Sequence, residues 1–150
     1  MAYNENYNTD PQVAFEGMVA DQTPATIVSR TVETAAIPFG KCVKQGTADN
    51  GVEQVETGDT AILGIAVRNQ GVDSSGGTAD VYPVKENAAI LLKGAIWVKA
   101  GASVSAGDPV HVTVDGSVFG TGAGAGKVAI AGATYETSGA ANALVRVRLV

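Results

Sequence analysis

Four groups of residues in this chain have the types that carry chemistry, and each lacks the partners that chemistry needs. Gly120–Lys127 is glycine-rich and ends in Gly126-Lys127, the composition of a phosphate-cradling loop. Such a loop needs a glycine five residues before the Gly-Lys pair and a hydroxyl residue after it, at the mouth of a helix. Here Thr121 and Val128 occupy those positions, so the stretch is expected to be an inter-strand loop. His111 is the single histidine and shows no nucleophile and no orienting partner in its local pattern, which a general base requires. Cys42 is the single cysteine. Lysines at positions 41 and 44 would favour its thiolate, but no histidine is nearby and a packed thiol is the expectation. Asp73, Asp80, Asp108 and Asp115 all adjoin turn residues, where aspartate serves its own backbone. One Cys and one His far apart do not make a metal centre. No catalytic residue, cofactor or metal is therefore expected.

Trp97 stands apart from these. It lies in Ala88–Val114, the stretch around which the chain is organised. Read at period two, Ile90, Leu92, Ile96 and Val98 share one face with Gly94 among them, and Leu91, Lys93, Ala95, Trp97 and Lys99 share the other. Val110, Val112 and Val114 alternate in the same way with His111 and Thr113. Alternation of this kind marks half-buried strands. The intervening Ala100–Pro109 holds Gly107-Asp108-Pro109, a turn signal, so the two strands are expected to form a hairpin. Tryptophan on the second face of such a strand packs under a loop or anchors a partner, where it is enriched among hot spots.

Other strands follow from the same pattern: Ala25–Glu33, Lys41–Lys44, Val81–Lys85, Lys127–Ala131 and Asn142–Val150. Asn50-Gly51 is a hairpin-turn candidate. Ala61–Val67 is apolar throughout and is expected at the centre, buried on both faces. In the last strand Val145, Val147 and Leu149 face one way, and Arg146 and Arg148 form a basic pair on the other. No window of ten residues keeps a helical period free of glycine. The reading is all-β: a compact β-barrel or jelly-roll-like sandwich of roughly eight to ten short strands. Residues 1–12, polar and carrying Tyr3 and Tyr7, read as an extended N-terminal arm on a single domain spanning 13–150.

Composition bounds the partners. Of 150 residues, 45% are hydrophobic and 17% charged, with 19 glycines, which suits short strands and turns more than helices. The net charge is −5 and the ten basic residues are scattered, so direct nucleic-acid binding is not expected. Lys93 and Lys99 break the longest apolar stretch, so no membrane helix is expected. The opening residues lack the basic and apolar regions of a signal peptide, so synthesis in the cytoplasm is expected.

Several stretches together resemble the structural cement, or capsid decoration, proteins of tailed bacteriophages. They are Glu16-Gly17-Met18-Val19-Ala20-Asp21, Ser29-Arg30-Thr31-Val32-Glu33 and Ile37-Pro38-Phe39-Gly40-Lys41-Cys42-Val43. Ile62-Leu63-Gly64-Ile65-Ala66-Val67, Ala106-Gly107-Asp108-Pro109-Val110-His111-Val112 and Asp115-Gly116 complete the set. The resemblance implies a non-enzymatic domain on the outer capsid surface of the virion, cementing neighbouring major capsid protein subunits and pairing with itself as a homodimer or homotrimer. Candidate interface residues are Tyr3, Tyr7, Phe15, Trp97, Arg146 and Arg148. The alternative is a free-standing β-barrel binding or carrier module; a small hydrolase would need a nucleophile–base pair that is missing.

Overall fold

The computed structural model describes residues 14–56, 59, 61–71, 80–113, 119–122 and 126–150. Those residues hold eleven strands and no helix. In chain order they are β1 (Thr26–Val32), β2 (Ile37–Pro38), β3 (Cys42–Gln45), β4 (Gly51–Gln54), β5 (Gly64–Ala66) and β6 (Val81–Tyr82), then β7 (Asn87–Lys99), β8 (Pro109–Thr113), β9 (Phe119–Gly120), β10 (Lys127–Tyr135) and β11 (Leu144–Leu149).

The 13-residue β7 is the shared wall of a barrel-like sheet with two rings. Its first half pairs with β1 along one edge and with β5 along the other, and β5, β3, β4 and β1 complete a closed circuit. Its second half pairs with β11, which leads through β10 and β8 to β9. The last strand returns to β7: Phe119 bridges Ala100, and Gly101 N–H donates to the Phe119 carbonyl at 2.8 Å. Closing a sheet in this way removes edges that would otherwise stay unpaired.

Each ring has its own apolar filling. Val32, Ile37, Phe39, Val43, Val52, Ala66, Tyr82, Ala88 and Ile90 form one core. The larger core includes Ile65, Leu91, Ile96, Val98, Val110, Val112, Phe119, Tyr135, Val145 and Val147. The two-residue strands β2 and β6 pair over the first core, where the Phe39 and Tyr82 rings meet edge to face at 4.9 Å. In the second, the buried Tyr135 hydroxyl donates to the Gly120 carbonyl at 2.8 Å and ties β10 to β9.

Two expectations change. The face series of β7 is not continuous: Ala88 and Ile90 enter one core, whereas Ile96 and Val98 enter the other. The switch centres on Gly94, whose φ of +127° is closed to most side chains and whose added Cβ would lie 3.0 Å from the Ala25 Cβ. Nor do β7 and β8 form a hairpin. Both edges of β7 are taken by other strands, and β8 lies between β10 and β9. By contrast β5 is buried on both faces as expected, with Ile65 in one core and Ala66 in the other. Asn50-Gly51 does lie in a reversal, the β3–β4 connection. There the Glu33 carboxylate accepts from the Thr47 and Ala48 amides, each at 2.8 Å, and fills the space beside Gly46 and Gly51 that a Cβ would need.

Candidate functional site: the outer face beside Trp97

A short segment preceding β1 builds this face. Residues 17–20 run antiparallel to the second half of β7: Gly17 N–H donates to the Trp97 carbonyl, Trp97 N–H to Met18, and Ala20 N–H to Ala95, all at 2.8–2.9 Å. Val19 bridges Ile96. The segment can lie this close because Gly17, at φ +83°, backs onto Gly40; a Cβ on Gly17 would sit 2.8 Å from the Gly40 amide nitrogen. Arg68 N–H donates to the Gly17 carbonyl at 2.7 Å, and Lys41 Nζ pairs with Glu16 at 2.6 Å. The segment is thus fastened from three sides.

Val19 packs against the larger core, while Phe15 and Met18 face outward. Phe15 is 48% exposed and Met18 42%. The Arg68 guanidinium lies 5.0 Å from the centroid of Phe15 and 5.5 Å from that of Phe39, within cation–π range. Arg68 also pairs with Asp80 at 2.7 Å, so its orientation is fixed from both ends. Trp97 is half-buried, with Ile96 and Val98 turned into the core on either side of it. In register it lies beside Met18 on one side and Arg146 of β11 on the other.

Arg146 and Arg148 are brought together, but as members of an internal charge network. Arg148 Nε donates to Glu136, and its Nη2 lies 3.0 Å from Asp21 Oδ2. Hydrogen bonding to Glu136, then Asp21, raises the Arg148 pKa further. Arg146 Nε lies 2.6 Å from the other Glu136 oxygen, close as an ion pair but off the N–H axis. All three side chains are only partly covered, so the network shapes the surface more than it adds stability. Tyr3 and Tyr7, with the arm at 1–12, lie outside the described residues, as do most of the loop at 69–80 and residues 123–125.

The chemistry-bearing residues stay apart. Cys42 is fully buried, and burial pushes its thiol pKa far up, outweighing the adjacent Lys41. His111 sits half-buried on β8 opposite Ala129 and Gly120, and no hydrogen bond reaches its Nδ1 among the described residues. Lys127 opens a strand where a phosphate loop would open a helix. Asp108 accepts from the Ser105 amide at 2.9 Å, the turn role expected of it, and Asp80 holds Arg68. Asp73 and Asp115 lie outside the described residues. Among those residues no group of three or more His, Cys, Asp or Glu side chains could hold a metal ion. Sequence reasoning missed Met18, Arg68 and Glu136. Only the charge that ends the apolar run at Arg68 gave a hint of one of them.

A barrel-like all-β domain of this shape is found among phage head proteins. A solved chain described as the capsid of Myoviridae phage XM1 superposes with a TM-score of 0.80 at 22% identity, covering 99% of this chain and 98% of that one. The head fibre gp8.5 N base of bacteriophage phi29 superposes with a TM-score of 0.50 at 12% identity, covering 85% and 95%. The chain belongs to the phage structural cement protein family (E217 gp24/Pam3 gp6), whose model matches residues 3–150. A search of curated protein sequences finds no match.

Proposed function

We propose that this protein binds the outside of a phage head and bridges neighbouring major capsid subunits, holding the shell against the pressure of packaged DNA. The observation that carries the reading, beside family membership, is the outer face. Exposed Phe15 and Met18 and half-buried Trp97 form an apolar strip set among Arg68 and Arg146, with every cation already oriented by a carboxylate. Aromatic and arginine side chains in such a setting are typical interface anchors. Pre-set side chains also lose little freedom on docking. Many copies on one shell, joined as homo-oligomers, gain from effective concentration, so each contact can be modest. The arm at 1–12, with Tyr3 and Tyr7, is proposed to extend the contact along a capsid subunit.

Among the described residues, the groove lined by Ile62, Leu63, Leu92, Ile130, Leu149 and Val150 has a volume of about 150 Å³, below the ~300–1,000 Å³ of typical small-molecule sites, so this groove does not favour the carrier alternative. Co-sedimentation with undecorated, expanded heads tests the proposal. Saturable binding at a copy number set by shell symmetry is expected, with weaker binding by Trp97→Ala and by a chain lacking residues 1–12. Absence of binding by the intact protein would discard it.

A further inference from the structure

Two arginines share the outward face of β11, and their donors are used unequally. Arg148 engages all three of its guanidinium nitrogens: Nε with Glu136, Nη2 with Asp21 at 3.0 Å and Nη1 with Thr23 at 3.5 Å. Arg146 has a charge contact with Glu136 through Nε, and that contact makes no hydrogen bond. Its terminal amino groups, Nη1 and Nη2, make no hydrogen bond among the described residues. The Nε atom is buried while the side chain as a whole is 34% exposed, so the exposure lies on the stem and the terminal groups. Donors left open in this way call for a partner.

Strand register sets this guanidinium beside an apolar shelf. The Arg146 N–H donates to Thr137 and its carbonyl accepts from Glu136, both on the side away from β7. Trp97 uses its own N–H and carbonyl on residues 18 and 17. Arg146 and Trp97, opposite each other, therefore form a non-hydrogen-bonded pair, the kind with closer side chains and Cα atoms ~4.5 Å apart. Val19 bridges Ile96, which places Met18 on the far side of Trp97. Met18, Trp97, Arg146 and Glu136 thus make one row across the sheet. Around it Arg68, Arg146 and Arg148 are matched by Asp80, Glu136 and Asp21, so the face is locally neutral in a chain of net charge −5. An acidic group can approach here without net repulsion from the face.

We propose that Arg146 receives a side-chain carboxylate of a major capsid subunit, presented next to an apolar side chain that lies on Trp97 and Met18. The planar guanidinium fork matches a carboxylate through two parallel bonds. A small anion would take the same donors, but a protein segment fills the apolar shelf as well. Arg148, with every nitrogen engaged, holds Glu136 in place and is a positioning residue for Arg146. This names the partner chemistry of the outer face and rests on the capsid reading above.

Head binding by four chains tests it: the native protein, Arg146→Gln, Arg146→Lys and Lys127→Gln, the last removing one positive charge from an exposed residue of β10. Arg146→Gln should weaken binding at least ~tenfold and flatten its salt dependence, with a near-native melting temperature. Arg146→Lys keeps the charge without the fork and should fall between the two. Lys127→Gln should bind as the native chain does. Carbodiimide treatment of heads decorated with Arg146→Lys should join the introduced amine to an Asp or Glu of the capsid subunit. Native-like binding by Arg146→Gln, equal losses in Arg146→Gln and Lys127→Gln, or coupling confined to Glu136 of the same chain would overturn the proposal and leave the capsid reading standing. Absence of binding by the native chain would overturn both.

Discussion

Replacing Gly17 by alanine should loosen the outer face from the barrel before the barrel itself unfolds. Two costs add. An L-residue at φ +83° carries left-handed strain of ~1–2 kcal/mol. The new Cβ would also lie 2.8 Å from the Gly40 nitrogen and 3.1 Å from the Arg68 nitrogen, both backbone atoms that cannot swing aside. Relief requires the segment to move. That endangers its bonds to Trp97, Ala95 and Arg68, each worth a net ~1 kcal/mol. The total is about 4 kcal/mol if the segment detaches fully, a fall in melting temperature of roughly 8–16 °C for a chain of this size. Trp97 is the only tryptophan, so its emission reports this site directly. Urea titration of the variant should show a red shift of Trp97 fluorescence ahead of the loss of β-sheet circular dichroism, where the native protein shows the two together. Coincident transitions with a native-like midpoint would refute the claim that glycine is required for the close approach. Head binding should fall in the same variant, because Phe15 and Met18 are presented by the segment.

Other expected outcomes concern the barrel. Tyr135→Phe removes the hydroxyl's bond to the Gly120 carbonyl inside the second core and should cost ~1 kcal/mol, read as a lower denaturation midpoint with an unchanged slope. The Glu33 carboxyl has its pKa lowered by the amides of Ala48 and Thr47. Its contribution is complete above the unfolded value of ~4.3 and is lost as pH falls through the folded one. Glu33→Gln should therefore flatten the acid limb of the melting-temperature profile below about pH 5; a profile parallel to the native one would count against the cap. Cys42 should resist thiol reagents in the folded state and react at the rate of global opening, so labelling that is rapid under native conditions would contradict its burial.

How far the fold was legible depended on whether the signal was local. Alternation along Leu144–Val150 and the uniform apolarity of Ala61–Val67 report burial directly, and the structure places Val145, Val147, Ile65 and Ala66 inside. Strand partners are another matter. The turn chemistry of Gly107-Asp108-Pro109 correctly marks a reversal, yet the loop it closes is held by a Val104–Gly139 bridge and by Asp108, and the chain passes β7 by. Adjacency in sequence is a good guide to pairing only while an edge is free, and here β1, residues 17–20, β5 and β11 had filled both edges of β7. The outer face was half legible. Phe15 and Trp97 are conspicuous by type, but Met18 reaches Trp97 only through a register set by two glycines, Gly17 and Gly40, that meet from separate parts of the chain. Arg146 and Arg148 read as a free basic pair because Glu136 and Asp21 lie on other elements.

The shared strand gives the face beside Trp97 a rigid backing. Because β7 belongs to both rings, a force applied at the face beside Trp97 loads that residue and its neighbours through backbone bonds on both edges at once, to Met18 and Gly17 on one side and to β11 on the other. Force so applied acts across many hydrogen bonds in parallel, and β7 is anchored in both cores, by Ala88 and Ile90 in one and by Leu91, Ile96 and Val98 in the other. An interface residue on a projecting loop would have no such backing. That placement is what the cement reading requires of an anchor, and it sets the order of failure: the 17–20 segment, held by a few bonds and one glycine contact, should release before β7 leaves either ring.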